Sequence, residues 1–206
     1  MAVLTFAFWP ADTDARMDLR PAINQQVEEA REPTPMPTCL DGRLRIGDLP
    51  AIQEEFEAGV AAERAKAERW QPDARLVGLR VGCRLLDDGF SWRGIYFSDA
   101  IQTYFFSDTG ETRTVDVVAP PGPTLPLTDV DFRDLHQSLL RTGFDEMAEL
   151  SPSSNVEIRL SSSEAPFGPP EAPQNAVYFH VAIEFRGDII DLFVSAEDGT
   201  PYRFQT

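Results

Sequence analysis

The same order of secondary-structure patterns occurs twice along this chain. A stretch with helical spacing of apolar residues ends at Trp70 and is followed by three strand-like stretches, and this order returns from Asp131 to Phe204. Pro72 and Pro152 follow the two helical stretches at matching places. A repeat of this length constrains the fold more than any single motif, because each copy must bury an apolar face of the same kind.

The first copy opens with a helix signal. Asp48 is a favourable capping residue and Pro50 is tolerated in a first helical turn, so we predict that a helix starts here. Its predicted buried stripe consists of Ile52, Phe56, Val60, Ala67 and Trp70. Apolar and polar residues then alternate, which predicts strands at 77–85, 92–98 and 101–107, with 113–118 as a short fourth strand or the end of the third.

The second copy follows a Pro-rich boundary at 119–127, which can neither continue a sheet nor start a helix. Thr128 or Asp129 is the predicted cap of the next helix. Its predicted buried stripe consists of Phe132, Leu135, Leu139, Gly143, Met147 and Leu150. Alternation returns afterwards and predicts strands at 156–160, 177–185, 189–195 and 202–204.

These patterns predict an α+β protein of two tandem units, each with one helix packed on a three- to four-stranded antiparallel sheet. We expect an N-terminal tether with a short helix and a Pro-rich linker at 1–47, and a first unit at 48–118. A Pro-rich linker at 119–127 and a second unit at 128–206 complete the chain. Each unit is small enough to be marginally stable alone, so shared or abutting cores are expected.

Net charge excludes one broad class of partner. The chain carries 34 acidic and 18 basic residues, a formal net charge of −16, and the excess acid is spread over both halves. A surface of this sign repels phosphate backbones, so we predict no nucleic-acid binding. The same charge either keeps the protein soluble or attracts a basic partner.

Two features bear on location, and each has two interpretations. Cys39 and Cys83 would be bridged outside the cytoplasm and reduced within it, where Cys83 would serve as a small buried apolar residue. Residues 2–9 are apolar and end in aromatics, which fits either the outer end of a membrane tether or a short strand. On balance we predict an extracytoplasmic or membrane-associated protein.

Signals for catalysis or metal binding are weak. The two histidines, His136 and His180, lack a Gly-x-Ser-x-Gly element, and the cysteines lack the spacing of a zinc site. Glu184 and Asp191 form the carboxylate pair best placed to share a sheet face, although a solvated face explains them equally well. We therefore predict no enzyme activity, no cofactor and no catalytic or metal-binding residue.

Aromatic residues are the better candidates for a functional surface. They lie on strands whose other faces already supply apolar core residues, so they can line a recognition surface or pack beneath the helices. The loop at 165–173 is long and Pro-rich, as loops that carry function often are. The candidate partner-binding residues are Trp92, Tyr96, Tyr104, Tyr178, His180 and, from the loop, Phe167.

A helix with spaced alanines, then Pro-Asp-Ala, an alternating strand and an aromatic strand before a Thr-Gly turn resembles the PepSY domain family. The first copy carries the pattern at Ala61, Ala65, Pro72, Asp73, Ala74, Trp92, Phe97 and Gly110. The second copy keeps Pro152 and Gly199 but has Ser153 and Ser154 where Asp and Ala would stand. The resemblance implies a helix laid on a curved antiparallel sheet, as in cystatins, and an extracytoplasmic module that binds or inhibits proteins without catalytic residues.

Three functions are therefore weighed. The first is a non-enzymatic protein-binding or accessory module, displayed outside the cytoplasm or attached to a membrane assembly, with a possible tether at its N-terminus. The second is an acidic immunity or inhibitor protein that neutralises a basic partner, whose association would slow with added salt. The third is an enzyme with a pocket between the repeats.

Overall fold

The computed structural model describes residues 39–84, 89–114, 121–150, 155–185 and 187–203. The predicted N-terminal tether up to residue 38, residues 85–88, Pro152 with the two serines after it, and Phe204 lie outside these residues. So do residues 115–118 of the predicted fourth strand. Residue 85 is the end of the first predicted strand. All described residues belong to one compact unit.

Two helices and eight strands make up the described structure. The helices are α1 (Leu49–Trp70) and α2 (Phe132–Arg141). The strands of the first half are β1 (Arg75–Cys83), β2 (Phe90–Ser98), β3 (Thr103–Phe106) and β4 (Glu111–Thr114). Those of the second half are β5 (Asn155–Leu160), β6 (Val177–Phe185), β7 (Asp188–Ser195) and β8 (Pro201–Arg203).

All eight strands join one antiparallel sheet in the order β4-β3-β2-β1-β5-β6-β7-β8. The two halves meet where β1 pairs with β5, with Leu79 opposite Ile158 and Val81 opposite Val156. The predicted α+β class is therefore confirmed. The strands of the two predicted units, however, form a single sheet rather than two sheets, because the β1–β5 pairing satisfies backbone groups that would otherwise lie at two exposed edges.

Helix α1 begins and ends close to the predicted positions. Ile52, Phe56, Val60 and Ala67 are buried as predicted, and Glu63 is buried with them. Asp48 occupies the predicted N-cap position, but its carboxylate accepts hydrogen bonds from the backbone N–H groups of Cys39 and Arg45 rather than from the first turn of the helix.

Helix α2 starts later and ends earlier than predicted. Its cap is Asp131, whose carboxylate accepts hydrogen bonds from the N–H groups of Arg133 and Asp134. The predicted caps, Thr128 and Asp129, lie in a preceding 3-10 turn. Past Arg141 the chain reaches Gly143 at a φ of 98°, a left-handed conformation that favours glycine and ends the helix. The predicted stripe residue Met147 is consequently exposed.

The main core lies between both helices and one face of the sheet. The Phe132 ring of α2 contacts the Phe56 ring of α1 at 5.7 Å and the Phe179 ring of β6 at 5.5 Å. One continuous cluster of buried apolar residues thus includes side chains from both halves of the chain. The other face of the sheet carries no helix among the described residues.

A disulfide joins Cys39 to Cys83, with their Cα atoms 5.4 Å apart. It ties the segment before α1 to the end of β1 and closes a sequence separation of 44 residues. The two cysteines are therefore bridged rather than reduced. Within the described ranges, no helix combines the length and the apolar character needed to cross a membrane.

Candidate partner-binding face

The sheet face opposite the helices, here called the open face, carries two apolar clusters. One consists of Val77, Ile95, Phe97 and Tyr104 in the first half of the sheet. The other consists of Ala172, Tyr178 and Phe193 in the second half. Strand alternation produces this face, because successive side chains of each strand point to opposite sides of the sheet.

Trp92 and Tyr96, two of the predicted binding residues, lie on the helix side of β2. The Trp92 ring packs 6.0 Å from Phe56, and a side chain added at Gly59 of α1 would collide with its indole. Tyr96 is only 2% exposed. The prediction that these two residues bind a partner is therefore corrected. They belong to the main core, because α1 covers their face of the strand.

The buried hydroxyl of Tyr96 has no hydrogen-bond partner among the described residues. Burial raises its pKa above the ordinary value, and the negative charge of Glu63 acts in the same direction. The Tyr96 side chain is therefore a neutral phenol that contributes packing.

Tyr104 lies on the open face, but only 5% of it is exposed, so it offers a partner almost no surface, which corrects the prediction for this residue. Its ring meets the Phe97 ring edge-on at 5.0 Å. Burial raises the pKa of Tyr104, and the positive charges of Arg159 and Arg75 oppose that shift. The ring is thus part of a packed aromatic layer beside positive charge.

Three arginines cover aromatic rings of the open face. The guanidinium carbons of Arg75, Arg113 and Arg159 lie 5.3, 5.4 and 5.3 Å from the ring centroids of Phe97, Phe106 and Phe167. Each arginine also forms an ion pair, with Asp99, Glu111 and Glu157 respectively. Cation–π contact and ion pairing together hold these side chains against the face. We call the three arginines and their rings the Arg–aromatic platform.

The loop at 161–176 covers the second half of the open face. The Tyr178 hydroxyl donates a hydrogen bond to the Pro173 carbonyl at 2.9 Å, and the Phe167 ring packs 5.2 Å from Phe193. Tyr178 is completely buried beneath this loop. It therefore presents no surface to a partner, which corrects the prediction, whereas Phe167 remains half-buried in the loop.

His180 is half-buried on the open face. Its ring is stacked on Phe193 at 4.5 Å, and its Nε2 lies 3.2 Å from a carboxylate oxygen of Asp191. Glu184 lies on the same face but is exposed and opposite Ile189, while Asp191 is opposite Ala182. Of the carboxylate pair considered from the sequence, Asp191 contacts His180, and Glu184 is not its cross-strand partner.

A charged cluster at the centre of the open face was missed by sequence reasoning. Glu157 is only 7% exposed and accepts a hydrogen bond from Arg80 Nε at 2.8 Å. Its other carboxylate oxygen contacts Arg159 Nη2. Strand register brings Arg80 opposite Glu157, and Glu157 opposite His180. The alternation of arginines with apolar residues in β1 indicates that Arg80 lies on the polar face of the strand. No local pattern, however, identifies Glu157, 77 residues later, as its partner.

A cavity of about 310 Å³ lies between the first half of the open face and the covering loop. We call it the cross-sheet cavity. Its charged groups are Arg159, at its wall, and Glu164, which is exposed. The remaining lining residues are Val77, Ile95, Tyr104, Phe106, Gly122, Leu160, Ala165, Pro166 and Phe167. Within the described part of the chain, no three His, Cys, Asp or Glu side chains converge to hold a metal ion.

Comparison with known proteins provides little beyond this geometry. No protein-family model matches the sequence, and no curated protein matches it significantly. Among solved structures, a "putative lipoprotein" from Clostridium difficile 630 resembles the chain with a TM-score of 0.45 and 12% sequence identity. The similarity covers 71% of this chain and 89% of that one.

Proposed function

We propose that this chain is a non-enzymatic module that binds a protein partner through the open face of its sheet. The Arg–aromatic platform is the observation that carries the proposal. Arginine and aromatic residues are enriched in the centres of protein interfaces, where they combine large apolar area with directed hydrogen bonds. Here two such pairs lie on the sheet and the third joins the sheet to the Phe167 ring of the covering loop. Phe97 is fully buried, so Arg75 forms the surface at that pair.

The charge of the platform also fits a protein partner. Its arginines are each paired with a carboxylate, so the platform is nearly neutral within a chain of net charge −16. A neutral, ring-rich area can be desolvated at lower cost than the acidic surface around it. Association through the platform should therefore depend weakly on salt.

We further propose that the protein works outside the cytoplasm, as an accessory or membrane-associated component. The Cys39–Cys83 disulfide supports this location, because structural disulfides persist in oxidising compartments and are rare in the cytoplasm. Alkylation of free thiols in intact cells, followed by a gel-shift assay with and without reductant, tests it. A fully reduced pair in cells would contradict the location.

We also propose that the sheet arose from two copies of a PepSY-like or cystatin-like unit. The strand order is symmetric about the β1–β5 pair, which supports duplication. The turns after β3 and β7 are alike: Gly110 donates to the Phe106 carbonyl, Gly199 donates to the Ser195 carbonyl, and both glycines have a φ of 70°. An experimental structure whose halves fail to superimpose would contradict the proposal.

Site-specific photo-crosslinking tests the binding face. A photoreactive residue is placed at Ser91, which is exposed on the open side of β2, and for comparison at Ala62, which is exposed on α1. In the native host, we expect a discrete crosslinked product from Ser91 and none from Ala62. That product should persist when the salt concentration is raised.

The converse result would favour the second hypothesis. Crosslinking from Ala62 alone, lost on adding salt, would indicate an acidic protein that neutralises a basic partner through its helices. It would contradict binding through the open face.

A further inference from the structure

We propose that the cross-sheet cavity binds an apolar carboxylate, with Arg159 as the residue that recognises the carboxylate. The acid is either the C-terminal residue of a peptide or a free small organic acid, which present the same chemistry. The inference names a ligand for the open face and rests on the proposed function for its biological setting.

The size and walls of the cavity set the apolar part of the ligand. A volume of about 310 Å³ lies at the small end of the range for ligand pockets, so the cavity has room for a small acid that carries one aromatic or aliphatic group. Val77, Ile95 and Phe106 line the side formed by the sheet, and Pro166 and Phe167 line the side formed by the loop. Walls of this composition disfavour strongly hydrated ions such as inorganic phosphate.

Arg159 provides a donor that has no acceptor. Its Nε is buried and makes no hydrogen bond to any described residue. The Phe167 ring and the Glu157 carboxylate hold the rest of the guanidinium in place. Burying an N–H group without an acceptor is costly. Because Arg159 lines the cavity, a ligand carboxylate that reaches its guanidinium would remove that cost.

The charge balance around Arg159 favours a monoanion. Two guanidinium groups, those of Arg80 and Arg159, share the single buried carboxylate of Glu157. Arg159 and Glu157 balance each other within the platform, so it is Arg80, which lies outside the platform, that adds the positive charge not matched by Glu157. Glu164 also lines the cavity, but it is exposed and no ion pair joins it to Arg80 or Arg159, whose own side chains are 37% and 41% exposed. A bound carboxylate would complete the balance.

The test measures binding to the purified full chain by isothermal titration calorimetry. The probes are 3-phenylpropionate, the acetylated tripeptide Ala-Ala-Phe with a free C-terminus, and the same tripeptide as its C-terminal amide. We expect at least one acid to bind and the amide to bind at least about tenfold more weakly than its acid, because a charge-assisted hydrogen bond is lost. Tighter binding of the tripeptide than of phenylpropionate would identify a peptide C-terminus as the source, and the reverse order would identify a free acid.

Two variants assign the binding to Arg159. Arg159→Gln should weaken binding of the acid at least about tenfold while leaving Glu157 paired with Arg80. Arg93→Gln is the matched control, because Arg93 lies on the same face, is paired with Asp108 and does not line the cavity. It should bind like the unmodified chain. Ala165→Leu, which fills the cavity from the loop, should weaken binding of acid and amide alike.

Any of three results would overturn the inference: no acid binding at concentrations up to about 10 mM, equal binding of acid and amide, or unchanged binding by Arg159→Gln. Thermal unfolding of each variant shows whether it is folded. Crosslinking from Ser91 is independent of these measurements. If it succeeds while the probes fail, the cavity inference fails alone; if it fails while the probes bind, only the proposed protein partner is lost.

Discussion

Single residues explain why parts of the sequence pattern are present. Asp73, the acid of the Pro-Asp-Ala motif, accepts hydrogen bonds from the Ala100 N–H at 2.9 Å and from the Ser98 hydroxyl at 2.9 Å. It therefore ties the residues just before β1 to the turn between β2 and β3. The hydrogen bond from the Ala100 N–H, followed in size by that from the Ser98 hydroxyl, lowers the pKa of Asp73 below its ordinary value of 3.8.

The lowered pKa of Asp73 predicts a pH-dependent contribution to stability. A carboxyl whose pKa is lower in the folded than in the unfolded state stabilises the fold above the unfolded value and loses that effect as pH falls through the folded value. Asp73→Asn should therefore lower the urea midpoint at about pH 7 and lower it by less at about pH 3. Equal differences at both pH values would contradict the role assigned to the ionised carboxylate.

Gly59 is a second residue whose role depends on its contact. In an exposed helix position, replacing glycine by alanine stabilises by about 1 kcal/mol. Here the added methyl group would collide with the Trp92 indole, and overpacking a core costs about 1–3 kcal/mol. Gly59→Ala should therefore not raise the free energy of unfolding, measured by chemical denaturation, because the cost of the collision equals or exceeds the helix-propensity gain.

Ala58→Gly is the matched control for that substitution. Ala58 is exposed on the same helix, so its change should cost about 1 kcal/mol through helix propensity alone. A Gly59→Ala protein that gains the full alanine benefit would show that Trp92 does not pack against α1.

At the scale of elements, α2 depends on one cap. Asp131 accepts hydrogen bonds from two N–H groups of the first turn, whereas Asp129 accepts one from the neighbouring Thr128 hydroxyl. Asp131→Ala should lower the free energy of unfolding by about 1 kcal/mol. Asp129→Ala, the control, should have a smaller effect. Equal losses of stability in the two variants would indicate that Asp129 contributes to capping as much as Asp131 does.

The strands show what periodicity predicts and what it leaves open. Strand β6 has the predicted bounds, and the other strands are close to theirs, because alternation is a local property of the chain. In β2, both sets of alternate side chains include apolar or aromatic residues: Phe90, Trp92 and Tyr96 face the helices, and Ile95 and Phe97 face away. Alternation alone therefore could not assign Trp92 and Tyr96 to the covered face.

For the whole molecule, the continuous core predicts one cooperative unit. Buried residues from both halves form one cluster, and β1 pairs with β5. Unfolding in urea should therefore follow a single transition, coincident in far-UV circular dichroism and in tryptophan fluorescence. Two separated transitions would indicate that the two halves unfold as independent domains.

The disulfide should stabilise that unit through the unfolded state. For a sequence separation of 44 residues, the chain-entropy account gives about 4 kcal/mol. Reduction should lower the free energy of unfolding by up to this amount, measured by urea denaturation with and without reductant. The double variant Cys39→Ser, Cys83→Ser is the control and should not respond to reductant.

The sequence by itself determined the α+β class, both of the described helices, most of the strands and the glycine turns at 110 and 199, because spacing and turn chemistry act between near neighbours. It left open whether 113–118 was a fourth strand or the end of the third. Only the tertiary structure decided that β1 pairs with β5, which strand faces the helices cover, and that Glu157 meets Arg80 and Arg159. These outcomes depend on contacts between residues far apart in the chain, where many pairings satisfy the same local pattern. The candidate site belongs to this second group, since its cavity exists only where a loop of the second half lies over strands of the first.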